Sequence, residues 1–319
     1  MENTDRRKAR ALLMSNHKGV SHSGRSPKHG IFYMIFMTGC VVSMDALAKL
    51  LSSEMPLLML VWGRFLFNFI FIALFFFRNG PRDIVRTRKF NLQILRALLG
   101  LSATFTFWGA LVFLPLADCV AIAFTSPLLV TALSVPYLGE KVGIHRWGVV
   151  IMGFIGVMII IRPGMGTVHW AVILPLITSL FWANYQITTR LLSHFDSALT
   201  TLFYTAAGGL FFTTLVVWPV WVTPTIKQWI ILSCVGFLGT MGHYLLIKAF
   251  EIAPASILAP FGYTSILWSI LLGYVLFGDF PDELTIAGVV IIISSGLYIM
   301  QRERRFKDPI NIKKRKNID

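Results

Sequence analysis

Asp45 and Arg64 are the residues of this sequence with the clearest chemical potential. Each is charged and lies inside a long apolar stretch, 31–51 for the acid and 57–77 for the base. At 1.5 Å per residue, both charges lie ~10 Å from the turn at 52–56 that joins the two stretches. Ionisable groups inside a membrane are costly and commonly mark a solute or proton pathway. The positions indicate either a binding site for a charged or zwitterionic solute, with Asp45 able to change protonation, or a structural ion pair between two helices.

Lys49 lies one helical turn after Asp45, a spacing from which its side chain can also reach the same carboxylate. Under an offset of 141 residues, Asp45 corresponds to Gln186 and Arg64 corresponds to Thr205. The second half of the chain therefore lacks this charged set. That asymmetry favours a role in binding a ligand over a role in a scaffold shared by both halves.

A second group of polar and aromatic side chains falls within other apolar stretches. Pockets for small organic ligands place a few polar groups among aromatic ones. The candidate substrate-binding residues, besides Asp45 and Arg64, are Trp108, Thr125, Ser126, Tyr185, Gln186, His243, Tyr244, Tyr263 and Thr264. The alternative interpretation is that these hydroxyl, imidazole and indole groups join helices by hydrogen bonds.

No catalytic or metal-binding motif occurs in the sequence. It has no phosphate-binding glycine loop, HExxH motif or nucleophile elbow, and its three cysteines are dispersed along the chain. We therefore expect no enzymatic activity, no catalytic residue, no metal ligand and no cofactor. Without a P-loop, uphill movement of a solute must draw on a gradient of protons or of an exchanged solute.

The elements that position these residues are predicted to be helices in a lipid bilayer. Of the 319 residues, 55% are hydrophobic and only 14% are charged, and the mean hydropathy is +0.70. These values lie far from those of soluble domains. Runs of ~20 apolar residues cross the hydrocarbon layer as helices. The sequence predicts ten such spans, at 31–51, 57–77, 95–114, 119–138, 144–161, 171–191, 198–218, 229–249, 256–277 and 284–300.

The net charge of +14 indicates topology rather than nucleic-acid binding. The tails and the alternate loops at one membrane face carry 25 of the 29 Lys and Arg side chains. The positive-inside rule therefore predicts that both termini are cytoplasmic. No nucleic-acid motif accompanies the charge, so we expect membrane lipid, and no nucleic acid, as a partner of the basic tails.

The chain contains an internal duplication. The stretch 110–139 recurs at 249–278 with an offset of 139, and 49–52 recurs at 190–193 with an offset of 141. The repeat is therefore five helices long, and an odd number of crossings inverts the second copy. The predicted organisation is a disordered basic cytoplasmic tail at 1–29, two five-helix repeats at 30–163 and 168–301, and a basic cytoplasmic tail at 302–319.

Several motifs together resemble the EamA-type branch of the drug/metabolite transporter superfamily. They are Asp45-x-x-x-Lys49, Arg64, Arg96-Ala-Leu, Pro115-Leu-Ala, Phe124-Thr-Ser-Pro, Leu138-Gly-Glu140 and the run from Gly153 to Pro163. The resemblance covers almost all of 31–300 and includes the duplication. It implies ten helices, cytoplasmic termini and a central cavity lined largely by the third, fourth, eighth and ninth helices.

The resemblance also implies secondary active transport of a small organic metabolite by alternating access. The substrates of such proteins include amino acids, nucleoside derivatives such as S-adenosylmethionine, and vitamins such as riboflavin. We expect a multi-pass permease of the bacterial inner membrane. The alternative is a membrane sensor or assembly partner that keeps the fold and does not transport. Glycine-containing helix faces at 144–161 and 284–300 leave open that the protein forms a homodimer.

Overall fold

The computed structural model describes residues 27–79, 85–126, 129, 133, 144–161, 169–192, 195–252, 258 and 261–307. In chain order, its α-helices are α1 Pro27–Leu51, α2 Leu57–Asn79, α3 Phe90–Leu111, α4 Leu116–Ala123, α5 Ile144–Ile161, α6 Ile173–Leu192, α7 Ala198–Val216, α8 Ile226–Ile252, α9 Thr264–Phe277 and α10 Glu283–Lys307. These ranges contain no strand, which confirms the prediction of an all-α chain.

Within the described part of the chain, six helices are long and apolar enough to cross a membrane, namely α1, α2, α3, α6, α7 and α8. Shorter apolar segments lie in α5, α9 and α10. The chain is thus a multi-pass membrane protein. Half of the predicted span 119–138 lies outside the described residues. α1 begins at Pro27, before the predicted span 31–51, and α10 continues to Lys307, beyond the predicted span 284–300.

The first five helices pack mainly against the last five. α1 contacts α8 and α9, α2 contacts α7 and α8, α3 contacts α6 and α7, α4 contacts α6 and α9, and α5 contacts α10. If α1 is exchanged with α6, α2 with α7, α3 with α8, α4 with α9 and α5 with α10, the same set of helix pairs results. The packing therefore has an approximate two-fold relation between the halves.

Individual side-chain contacts follow the same relation. Thr125 on the α4 side donates a hydrogen bond of 2.7 Å to Ser179 of α6. Thr38 of α1 and Thr264 of α9 form the equivalent hydrogen bond, also of 2.7 Å. The offset of 139 relates Thr125 to Thr264, and the offset of 141 relates Thr38 to Ser179. We call these two hydrogen bonds the hydroxyl pairs.

Two close helix crossings are also related by these offsets. A methyl group added at Gly208 of α7 would lie 2.7 Å from Cβ of Ala97 in α3, and one added at Gly236 of α8 would lie 2.2 Å from Cβ of Phe67 in α2. Because glycine has no Cβ, the backbones can approach closely at both crossings. The α3–α7 and α2–α8 pairs are therefore equivalent contacts of the two halves.

The order of contacts along paired helices gives their relative directions. α3 and α6 are antiparallel, because Arg96 contacts Thr189 and Thr106 contacts Thr178. In the same way α2 is antiparallel to α7 through the pairs Trp62–Thr214 and Phe69–Phe203. α8 is antiparallel to α1, since Gly239 lies against Met44 and Gly242 against Val41.

Polar contacts tie the loops together at both ends of the bundle. At the end that we call the Lys49 end, Lys49 Nζ donates to Leu114 O at 2.8 Å and lies 3.2 Å from Asp279 Oδ2. These contacts join α1 to the segments that follow α3 and α9. The Lys49 end is therefore closed by a hydrogen bond and an ion pair.

The opposite end, which we call the Asp196 end, is joined through one carboxylate. Asp196 accepts hydrogen bonds from the Thr87 hydroxyl, the Arg88 backbone N–H at 3.0 Å and Gln93 Nε2 at 2.8 Å. Burial would raise the pKa of the Asp196 carboxyl, but these hydrogen bonds outweigh it and hold the pKa below its usual range.

Candidate functional site

A small cavity lies at the centre of the bundle, between α2, α3, α6, α7 and α8. Its volume is about 30 Å³, and its polar wall includes Arg64, Asn68, Thr104, Thr240 and His243. Trp182 and Tyr185 of α6 form part of its aromatic wall. The helices differ from those that the family resemblance implied, because α2, α6 and α7 line this cavity together with α3 and α8.

Arg64 is the cationic side chain in the wall of this cavity. It is only 9% exposed, and its Nη1 donates a hydrogen bond of 2.8 Å to Thr104 Oγ1. The guanidinium carbon also lies 5.3 Å from the ring centre of Trp108. Arg64 Nε is one of three buried side-chain atoms in the described residues that have no hydrogen-bond partner.

Asp45 is bound by Trp108 rather than by Arg64. Asp45 is 6% exposed, and its Oδ1 accepts a hydrogen bond of 2.9 Å from Trp108 Nε1. Among the described residues, the ion pairs are Lys49–Asp279 and Lys227–Glu54, so a direct Asp45–Arg64 pair is absent. The indole of Trp108 instead lies between the two charges, with its edge on the acid and its face towards the base.

Lys49 is within reach of Asp45 by its spacing, but its side chain contacts Leu114 and Asp279 instead. The side chain of lysine is long enough to reach the polar groups at the helix end. A charge there keeps more contact with water than one beside Asp45 would. Lys49 therefore belongs to the Lys49 end and not to the cavity.

Arg96 is a buried charge whose importance the sequence analysis missed. It is 4% exposed, and its guanidinium donates to Thr189 Oγ1, Thr201 O, Thr205 Oγ1 and Tyr185 OH. These partners are neutral and belong to α6 and α7. The predicted span 95–114 put Arg96 at its beginning, yet α3 begins at Phe90, so Arg96 lies ~9 Å inside the helix.

Tyr185 joins Arg96 to the cavity wall. Its hydroxyl accepts from Arg96, and the Arg96 guanidinium carbon lies 4.1 Å from its ring centre. The ring of Trp182 stacks on Tyr185 with centres 4.9 Å apart and planes at 12°. The neighbouring candidate, Gln186, is exposed and does not line the cavity.

Three further candidates lie on α8 and beside α9. His243 is half-buried and lines the cavity. Tyr244 lies outside the cavity wall, and its ring centre is 5.7 Å from Lys248 Nζ. Tyr263 stacks on Phe124 with ring centres 5.0 Å apart and thus joins α9 to α4. The structure brings only His243 of the three to the cavity.

The repeated hydroxyl residues are used between helices. Thr125 and Thr264 form the hydroxyl pairs, and Ser126 is 5% exposed. None of the three lines the described cavity. Among the described residues, the contacts of Thr125 and Thr264 therefore agree with the interpretation that these hydroxyls join helices by hydrogen bonds.

Comparison with known proteins decides the family. The model of the EamA-like transporter family matches the chain twice, at residues 28–162 and at residues 169–301. The chain belongs to the EamA-like transporter family. This membership confirms the family prediction, and the two matched segments cover most of the chain.

Curated relatives of this EamA chain are named as transporters. It is 32% identical to a riboflavin transporter of Vibrio cholerae, over 71% of this chain and 76% of the relative. It is 27% identical to an S-adenosylmethionine uptake transporter of Rickettsia felis, over 82% and 88%. It is 25% identical to a pseudopaline exporter of Pseudomonas aeruginosa, over 83% and 94%.

A solved structure supports the same fold. A protein of known crystal structure aligns with a TM-score of 0.64 over 89% of this chain and 100% of its own chain, at 16% identity. The likeness at this identity concerns the fold alone. The family match and the named relatives make this EamA chain a membrane transporter for a small molecule.

Proposed function

We propose that the chain is a secondary active transporter that moves a small organic metabolite across the bacterial inner membrane. The observation that carries the proposal is the central cavity, which combines buried polar groups with a stacked aromatic pair in a chain of the EamA family. Such a wall suits an organic molecule with polar and flat parts. The relatives suggest a riboflavin-like vitamin, a nucleoside derivative or an amino-acid-like compound as the substrate.

The proposed mechanism is alternating access between two inverted five-helix repeats, α1–α5 and α6–α10. The exchange symmetry of the packing and the antiparallel pairs α3–α6 and α2–α7 support it. In transporters of this kind, one repeat rocks against the other around a site near the midplane. The cavity of about 30 Å³ has room for about two water molecules, so α2, α3, α6, α7 and α8 must separate when a metabolite enters.

We propose that all ten helices cross the membrane and that the Asp196 end faces the cytoplasm. Most Lys and Arg side chains of the sequence lie in the tails and in the loops of that face, as the positive-inside rule requires. The ion pair Lys49–Asp279 then closes the periplasmic side. The driving force is a proton or an exchanged solute, and the basic tails contact anionic lipid.

The test is transport by purified protein in liposomes. The vesicles are loaded or bathed with riboflavin, S-adenosylmethionine and amino-acid-like metabolites, with and without a proton gradient and an exchangeable solute inside. Uptake or release of at least one compound above that of protein-free vesicles is expected. A protein that moves none of them in either direction would contradict the proposal and favour the sensor alternative.

A further inference from the structure

Arg64 has hydrogen-bonding capacity that no described residue uses. Its Nη1 donates to Thr104, whereas its buried Nε has no partner. Nε and Nη2 form the edge of a guanidinium that binds a carboxylate through two parallel hydrogen bonds. Leaving a buried charged donor unsatisfied costs more than leaving a neutral one. A ligand that fills this edge would therefore recover free energy that the empty cavity loses.

The charges around the cavity also favour an anion. Among the described residues there, Arg64 and Arg96 are buried cations, and Asp45 is the buried acid. Asp45 is held by Trp108, and Arg96 is bonded to neutral hydroxyls and one backbone carbonyl. Two cations for one anion in a medium of low dielectric constant are costly. An anionic ligand group would balance the excess positive charge.

The two halves are related by an approximate two-fold axis, but the buried guanidinium of Arg64 occurs only in the first repeat. Thr205 is the equivalent of Arg64 in the second repeat under the offset of 141. Thr205 accepts a hydrogen bond from Arg96, whereas Arg64 has a buried Nε without a partner. The cavity thus has a cationic side at α2 and an aromatic side at Trp182 and Tyr185 of α6. A ligand with a charged end and a flat or apolar end would bind in a single orientation.

We propose that the transported metabolite carries a carboxylate and that the Nε–Nη2 edge of Arg64 binds it. This inference rests on the proposed function and specifies its substrate class. Asn68, one helical turn along α2, and His243 line the same cavity and are placed to contact the polar groups beside the carboxylate. Trp182 and Tyr185 pack against the remainder of the molecule. Riboflavin, which lacks a carboxylate, falls outside this class.

The experiment measures binding of matched probes to the purified full-length protein. One pair is S-adenosylmethionine and 5′-methylthioadenosine, which share the adenosine and differ in the carboxylate-bearing part. A second pair is pantothenate and its neutral alcohol panthenol, and riboflavin and a phosphate monoester complete the panel. The variants are Arg64→Gln, Arg64→Lys and, as a control that removes an exposed charge outside the cavity, Lys227→Gln.

For the wild-type protein and Lys227→Gln, we expect the carboxylate-bearing member of at least one pair to bind about 30-fold more tightly than its neutral counterpart. Arg64→Gln should abolish this preference. Arg64→Lys, which keeps the charge and loses the two-donor edge, should restore part of it. Melting temperatures of the variants show whether they are folded.

Several results would overturn the inference. They are equal binding of the two members of each pair, an unchanged preference in folded Arg64→Gln, or tighter binding of riboflavin or the phosphate monoester than of every carboxylate. Failure of the proposed function is distinguishable, because a probe would then bind to the protein and yet show no flux in liposomes.

Discussion

Gly236 lies where α8 crosses α2, and an alanine at this position should push the two helices apart. A methyl group there would lie 2.2 Å from Cβ of Phe67 and 3.0 Å from its backbone carbonyl carbon, whereas ordinary contacts are 3.4–4 Å. Phe67 cannot move its Cβ or its backbone by changing rotamer. The helices must therefore separate by about 1 Å or more at the crossing.

Two opposing terms set the size of the effect. Overpacking a close contact costs ~1–3 kcal/mol, and the better helix propensity of alanine returns at most ~1 kcal/mol. We expect Gly236→Ala to lower the free energy of unfolding by ~1–2 kcal/mol. Phe67 lies between Arg64 and Asn68 on α2, so the separation should also move Arg64 relative to Thr104 and weaken substrate binding.

The assay compares melting temperature in one detergent with the transport rate in liposomes. Gly148→Ala on α5 is the matched control, since a methyl group there meets nothing within 4 Å. It should keep the wild-type rate and melt at the same or a slightly higher temperature. If Gly236→Ala melted and transported like the wild-type protein, the close crossing of α2 and α8 would be refuted.

Three further outcomes follow from the contacts. Gly208→Ala should lower the melting temperature, and the second change Ala97→Gly should restore it; no rescue would argue against their contact. Thr125→Val and Thr264→Val should each cost ~0.6 kcal/mol by thermal unfolding, and clearly unequal losses would contradict the equivalence of the hydroxyl pairs. Folding lowers the pKa of Asp196, so its stabilisation is complete above pH ~4 and is lost as the pH falls through the lowered value. In Asp196→Asn, the melting temperature should therefore decrease less than in the wild-type protein when the pH is lowered below about 4. An unchanged dependence of the melting temperature on pH in this range would refute the role of Asp196.

The helices were largely predictable because their apolar runs are long and are broken by polar turns. The predicted span 144–161 coincides with α5, and the predicted span 57–77 begins at the same residue as α2. The duplication was visible because two fixed offsets relate Thr125 to Thr264 and the segment 49–52 to 190–193. Length, hydropathy and repeat spacing are properties of the chain itself, so they do not depend on how the helices pack.

The partners of the buried polar groups were less predictable. Each depends on the rotation of a helix about its axis, and helices that are apolar on most faces give little indication of that rotation. Asp45 therefore has Trp108 as its partner instead of Arg64, and Lys49 pairs with Asp279. Arg96 could have been recognised from the apolar residues before it, which extend α3 back to Phe90. Its hydroxyl partners on α6 and α7 are visible only in the packed bundle.

Symmetry and asymmetry in this bundle serve different purposes. The two hydroxyl pairs are equivalent contacts between the halves, as are the two glycine crossings, and both members of each set are formed in the same conformation. All four contacts join one repeat to the other, so in the proposed mechanism they lie at the interface across which the repeats rock. The charges are different, because Arg64 faces the cavity from one half while its equivalent, Thr205, accepts a hydrogen bond from Arg96. A symmetric site would bind a polar molecule equally well in two orientations, whereas one cationic side fixes a single orientation. We therefore propose Arg64 as the residue that makes the duplicated scaffold selective.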